Sequence, residues 1–284
     1  MNSLMYHELF LNFLMNKQLR RSDIIALLYL IIGLTASVFG ALAGLGGGII
    51  IKPVLDLIGQ YDVASVGILS AATVFSMSCV SLFNSTKLDV KINVKSSLVI
   101  AAGSIIGGVL GKWLFNILVH EINAPDKVKL IQAIMIGLLM VIIYMFVKNK
   151  QNIKTYHLSN AFVIFAIGLC LGNLAAFLGI GGGPLNVAIL AFCFSMSARE
   201  SALNSIFIIF FSQLSALIFT AFSTGFSQFD LSMLPYMIIG GVSGGLIGSK
   251  LARKVKDAHV EKIFTVGIVL IILINVANVV GYFY

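Results

Sequence analysis

Charge is what this chain has least of. Only 11% of its 284 residues are Asp, Glu, Lys or Arg, against about 25% in a typical soluble domain, so a water-facing globular surface is excluded. Cysteine is scarce as well: Cys79, Cys170 and Cys193 are scattered inside apolar stretches without paired or metal-ligand spacing, and they read as small core residues. No nucleotide loop is present. The glycine clusters miss G-x-G-x-x-G because Ile49 and Pro184 occupy the third glycine's place, and there is no GK[ST] sequence. With no metal cluster and no Ser/His/Asp constellation in the apolar runs, neither a metal nor another cofactor is expected, and the chain does not read as an enzyme.

What fills the chain instead is apolar: 59% hydrophobic residues and a mean hydropathy of +1.02. Uncharged runs extend over Ile24–Ile51, Val63–Thr86, Thr155–Ala198, Ser201–Phe229, Leu231–Ser249 and Ile263–Tyr284. Each is near or above the ~20 residues a helix needs to cross the hydrocarbon layer. The ten-residue alternation of barrel strands is missing, which leaves the helix as the spanning unit. The net charge of +8 sits at the ends of these runs. It is expected to set topology beside lipid headgroups and not to bind nucleic acid.

Two motifs repeat. Gly44-Leu45-Gly46-Gly47-Gly48 returns as Gly179-Ile180-Gly181-Gly182-Gly183, and the glycines of Gly103–Leu114 return in Gly240–Leu251, at nearly one offset. The expected organisation is an N-terminal polar or interfacial segment (1–23), a first repeat (24–148), a cytoplasmic linker (149–157) and a second repeat (158–284), forming one integrated transmembrane domain. Leu4–Leu14 is too short to span and is expected at the interface. Each repeat should hold a glycine-broken, re-entrant first element and three long helices, about 63–86, 94–119 and 128–148, then 200–222, 230–252 and 259–282. That makes an all-α polytopic protein of 8–10 membrane segments. If each broken element turns back, the repeats are inverted, and 12 of the 19 Lys and Arg fall on one side; positive-inside bias favours that arrangement.

Glycine in a helix interior costs ~1 kcal/mol relative to alanine, so each cluster should break its helix and start a half-helix, with Pro184 suited to a first turn. Free N–H groups and the positive end of the helix dipole there would favour an anion. The expected substrate-binding residues are Gly44, Gly46, Gly47, Gly48, Gly179, Gly181, Gly182 and Gly183, with Thr73, Ser76, Asn204, Ser205 and Gln213 as hydrogen-bond donors on the following helices. The glycines spaced by four, at 103, 107, 111 and 240, 244, 248, are expected to pack helices closely. Lys52 is expected to snorkel to the membrane edge, with Asp56 in reach of an i,i+4 pair.

The pattern Gly44-x-Gly46-Gly47-Gly48-x-x-x-x-Pro53-x-Leu55, with its second copy Gly179-x-Gly181-Gly182-Gly183-Pro184, resembles the signature of the sulfite exporter TauE/SafE family over about 24–282. The second copy departs from it, since Ala188 stands where Pro53 stands in the first. The resemblance implies a multi-pass carrier in the cell membrane of a prokaryote, built from inverted repeats, that moves small sulfur-containing or organic anions such as sulfite or sulfonates. An anion held between the broken helices, with the halves rocking around it, is the expected mechanism. The competing classes are a channel-like pore, an intramembrane enzyme and a structural membrane protein.

Overall fold

The computed structural model describes residues 2–85, 94–122 and 125–283, with side chains at 23–85, 96–119, 126–150 and 152–283. Among the described residues all regular structure is helical: α1 Asn2–Ala43, α2 Gly48–Ile58, α3 Val63–Ser85, α4 Val94–Ile122, α5 Pro125–Asn149, α6 Ala161–Leu178, α7 Gly183–Phe194, α8 Ala198–Ser223, α9 Leu234–Lys254 and α10 Asp257–Phe283. The six long helices expected between the breaks and the chain ends all form. The expectation for Leu4–Leu14 at the interface concerns side chains outside the described residues.

Among the described residues, seven helices are long and apolar enough to cross a membrane: α1 from Asp23, α3, α4, α5, α6, α8 and α10. Helix α9 has 21 residues, but five of them are glycines, at 240, 241, 244, 245 and 248, each facing a neighbouring helix, and it ends on Arg253 and Lys254. Helices α2 and α7, of 11 and 12 residues, rise only about 17 Å, well short of a ~30 Å core.

Local chemistry fixes several helix starts. Asn160 accepts from the Phe162 and Val163 N–H groups at the start of α6, and Ser197 with Glu200 forms a capping box on α8. Asp62 accepts from the Ala64 and Ser65 N–H groups at 2.9 and 3.0 Å ahead of α3. Burial pushes the Asp62 carboxyl up, but its hydrogen bonds with Ser65 and Ala64 outweigh that and hold it below the usual carboxylate range.

The packing partners exchange in pairs between the first five helices and the last five. Helix α1 lies on α9 as α6 lies on α4; α3 lies on α9 as α8 lies on α4; and α3–α8 and α5–α10 meet across the middle. The spaced glycines make the closest of these contacts. A Cβ at Gly103, Gly107 or Gly111 would overlap the Phe165, Leu169 or Asn173 carbonyl of α6, and one at Gly240 or Gly244 would strike the Leu30 or Leu34 carbonyl of α1. They pack helices, as expected.

Hydrogen bonds mark the two ends of the bundle. At the first, the Tyr29 hydroxyl donates to Gln60 Oε1 at 2.8 Å, Tyr61 Oη lies 2.8 Å from Ser232 Oγ, and the Asp230 N–H donates to Ser65 Oγ. At the second, Asn84 donates to Ser249, Arg253 to the Asn84 carbonyl, and Lys150 lies 3.3 Å from Glu261. The Tyr156 and Leu158 N–H groups there donate to the Phe192 and Cys193 carbonyls. Helix α2 therefore returns to the first end beside the start of α1, and α7 returns to the second end beside the start of α6.

Overpacking a tight contact costs about 1–3 kcal/mol, so Gly107→Ala should lower the thermal unfolding midpoint in detergent by several degrees. Gly281→Ala, where a Cβ meets nothing within 4 Å, should hold it or raise it. Equal midpoints for the two variants would refute the close-packing assignment.

Candidate functional site

Each glycine cluster ends one helix and starts another. Gly44, Gly46 and Gly47 have φ of 71°, 79° and 69°, and Gly179, Gly181 and Gly182 have 68°, 73° and 75°, a left-handed conformation that glycine adopts without a Cβ penalty. The Gly179 N–H donates to the Ala175 carbonyl and closes α6. Helices α2 and α7 then begin at Gly48 and Gly183, the latter with Pro184 in its first turn. The breaks stand where the glycine triplets placed them.

The two breaks press directly on each other. A Cβ at Gly183 would overlap the Leu45 carbonyl, and one at Gly48 would lie 3.0 Å from the Ile180 carbonyl. Ser205 Oγ reaches the Gly44 carbonyl at 2.8 Å and the Gly183 carbonyl at 3.3 Å, and Ser70 Oγ reaches the Gly179 carbonyl at 3.5 Å. Ser70 and Ser205 hold the same place after their respective breaks, so each half ties down the other's turn. The surrounding side chains, including Leu45, Ile49, Leu69 and Leu178, are fully buried.

Of the expected donors, Ser205 and Gln213 reach the breaks. Gln213 Nε2 lies 3.6 Å from where Gly181 would carry a Cβ, and it donates to Ser212 Oγ at 3.5 Å. The Thr73 and Ser76 hydroxyls instead donate to the Leu69 and Ala72 carbonyls of their own helix, at 2.7 and 2.8 Å. Asn204 joins α8 to α4, accepting from Ser97 at 2.5 Å and donating to the Glu200 carbonyl.

Lys52 corrects the sequence expectation. It does not snorkel: the residue is 1% exposed, and its Nζ lies 2.7 Å from Asp56 Oδ2. Helix α2 starts inside the bundle, so Lys52 sits one turn from the break with its stem 3.0 Å from where a Gly179 Cβ would stand. Asp56 Oδ1 is buried without a hydrogen-bond partner among the described residues. Asp56 also borders an open recess with Asp126, Lys129, Asn278 and Tyr282.

Two further residues escape sequence reading. Asn186 is 2% exposed, with an unpartnered Oδ1 that would lie 3.3 Å from a Gly182 Cβ. Lys112, in the interior of α4, turns its ammonium inward over the Phe115 ring at 4.8 Å. Its position at the end of a glycine stripe was the available signal, because the stripe faces protein and not lipid.

The family described as Sulfite exporter TauE/SafE matches residues 29–275. The chain belongs to the sulfite exporter TauE/SafE family. It is similar to the probable membrane transporter protein YunE of Bacillus subtilis, at 23% identity over 85% of this chain and 93% of YunE. It is also similar to the probable membrane transporter protein MJ0441 of Methanocaldococcus jannaschii, at 26% identity over 90% of this chain and 94% of the relative. No solved structure matches. TauE/SafE membership, together with seven spanning helices, indicates a multi-pass membrane transporter.

Removing one partner of a buried ion pair strands the other charge, at a cost of about 3–5 kcal/mol. Asp56→Asn should therefore sharply lower the thermal midpoint of the purified protein, and Lys52→Met combined with Asp56→Leu should recover most of the loss. A single variant as stable as the parent would show that the pair contributes nothing.

Proposed function

We propose that the chain is a carrier, and not an enzyme, that exports small sulfur-containing or organic anions such as sulfite or sulfonates across the cell membrane of a prokaryote by alternating access. The observation that carries this reading is the meeting of two half-helix starts, at Gly48 and Gly183, at the centre of the bundle. Exposed N–H groups and the positive dipole end at such starts favour an anion. Family membership supports the transported class, since the family is named for sulfite export. The glycines of both breaks, with Gln213, form the proposed substrate contact; Ser205 ties the two turns together through their carbonyls, and Thr73, Ser76 and Asn204 belong to the helices that carry it.

The two halves are proposed to have opposite membrane orientation. The return of α2 to one end of the bundle and of α7 to the other supports this, as does the basic bias of the loops at the second end, which would be cytoplasmic. Rocking is then between helix pairs that cross the halves, α1 with α9 against α4 with α6, because the glycine contacts lock those pairs. An inside-negative potential would drive each exported charge with ~2.3 kcal/mol per 100 mV.

Flux of sulfite from proteoliposomes tests the reading. It is expected to saturate with concentration, as a channel-like pore would not, and to respond to a potential imposed with valinomycin. Gly47→Leu and Gly182→Leu are expected to abolish flux in protein that still elutes as a folded species. Undiminished flux in both variants would remove the breaks from the transport site.

A further inference from the structure

Behind the Gly179 break lies a small recess of ≈ 30 Å³, bordered by Gly67, Ala71, Lys112, Gly179, Gln213 and Thr220. Its residues come from the beginning of α3 and the end of α8, so it belongs to the first end of the bundle. A second recess of the same size, ≈ 30 Å³, lies toward the other end. Ala202, Ile206, Ser249 and Ser85 line it, at the places that Gly67, Ala71, Lys112 and Thr220 hold in the first when the repeated motifs are superimposed. The two recesses are thus counterparts, and the decisive difference between them is Lys112 against Ser249.

Lys112 lies seven residues inside the end of the spanning segment Ser96–Val119, about 10 Å of helix rise. Its ammonium points inward, over Phe115, which is 4% exposed, and 3.9 Å from where Gly67 would carry a Cβ. Among the described residues no hydrogen bond or salt bridge engages that ammonium, and no carboxylate lines the recess. The charged groups whose fields reach it are Lys52, of the same sign, and Asp62 in the loop before α3. A cation inside a membrane protein without an adjacent counter-ion is costly unless something negative joins it. Lysine offers three donors and can take an oxyanion as a point charge.

We propose that this recess is an anion-binding vestibule on the exit side of the path: Gln213, whose amide also faces Gly181, passes a small oxyanion of the sulfite or sulfonate class from the glycine breaks to Lys112, which holds it before release at the first end. The recess around Ser249 is the neutral counterpart through which the same path is entered at the second end. The sequence pattern favours backbone dipoles with neutral hydroxyls and amides as the anion holders; this assigns a charged side chain to the task. The inference rests on the anion-carrier reading, and its test separates the two.

Ala71→Cys places a thiol in the recess, made in a background with Cys79, Cys170 and Cys193 replaced by Ala and reconstituted in liposomes. The anionic reagent sulfonatoethyl methanethiosulfonate should modify it faster than the cationic trimethylammonioethyl methanethiosulfonate, by about tenfold or more once intrinsic thiol rates are divided out. Lys112→Gln should erase that preference and Lys112→Arg should keep it. Added ethanesulfonate, a sulfonate that unlike sulfite does not attack thiosulfonates or disulfides, should slow the anionic reagent in protein that retains Lys112, a readout that needs no variant at Lys112. A preference indifferent to Lys112→Gln, or labelling unaffected by ethanesulfonate, would overturn the vestibule. Sulfite flux run in parallel reads the carrier: Lys112-dependent labelling without flux would sink the transport reading alone, and saturable flux with Lys112-independent labelling would sink the vestibule alone.

Discussion

Two turns of bare backbone pressed together at the centre of a membrane bundle set the terms for everything around them. Where Leu45 faces Gly183 and Ile180 faces Gly48, no side chain fits between the chains, and the broken helices leave carbonyls that lipid cannot satisfy. Hydroxyls from the opposite half supply the hydrogen bonds, Ser205 to Gly44 and Ser70 to Gly179. Non-helical backbone at this depth is tolerated because protein surrounds it. The long helices are the walls that make that enclosure possible.

The same enclosure explains the behaviour of the ionisable groups. Because α2 starts within the bundle, Lys52 is carried inward and must find Asp56; because α4 turns its glycine stripe to α6, Lys112 on that helix also faces protein. The neutral hydroxyls close to the breaks are mostly occupied with backbone. The few charges carried into the bundle, Lys52 with Asp56 and Lys112, therefore lie close to its broken backbone.

Much of the fold was legible from the order of residues. Charge-free runs located the long helices, and the glycine triplets located both breaks, because hydrocarbon thickness and glycine's helix cost are local constraints. Partner choice was not legible: the spacing of Gly103, Gly107 and Gly111 foretells a close neighbour but not that the neighbour is α6. Lys52 shows the limit most plainly. An i,i+4 Lys–Asp pair looks the same at a wet edge as in a core, and only the placement of α2 distinguishes them. The direction taken by Gln213, toward Gly181 and not its own carbonyls, likewise depends on how α8 is rotated.

The crossed pairing of α1 with α9 has a consequence for how the protein is made. Helix α1 is complete at Ala43, while its glycine-bearing partner begins at Leu234, roughly 190 residues later. At synthesis rates of about 5–20 residues per second, α1 spends roughly 10–40 s in the bilayer before α9 exists. Its carbonyl-exposing groove, shaped to receive Gly240 and Gly244, faces lipid or the insertion machinery throughout that interval. The central turn at Gly44 likewise waits for Ser205, so the packed breaks close only late in the synthesis of the chain.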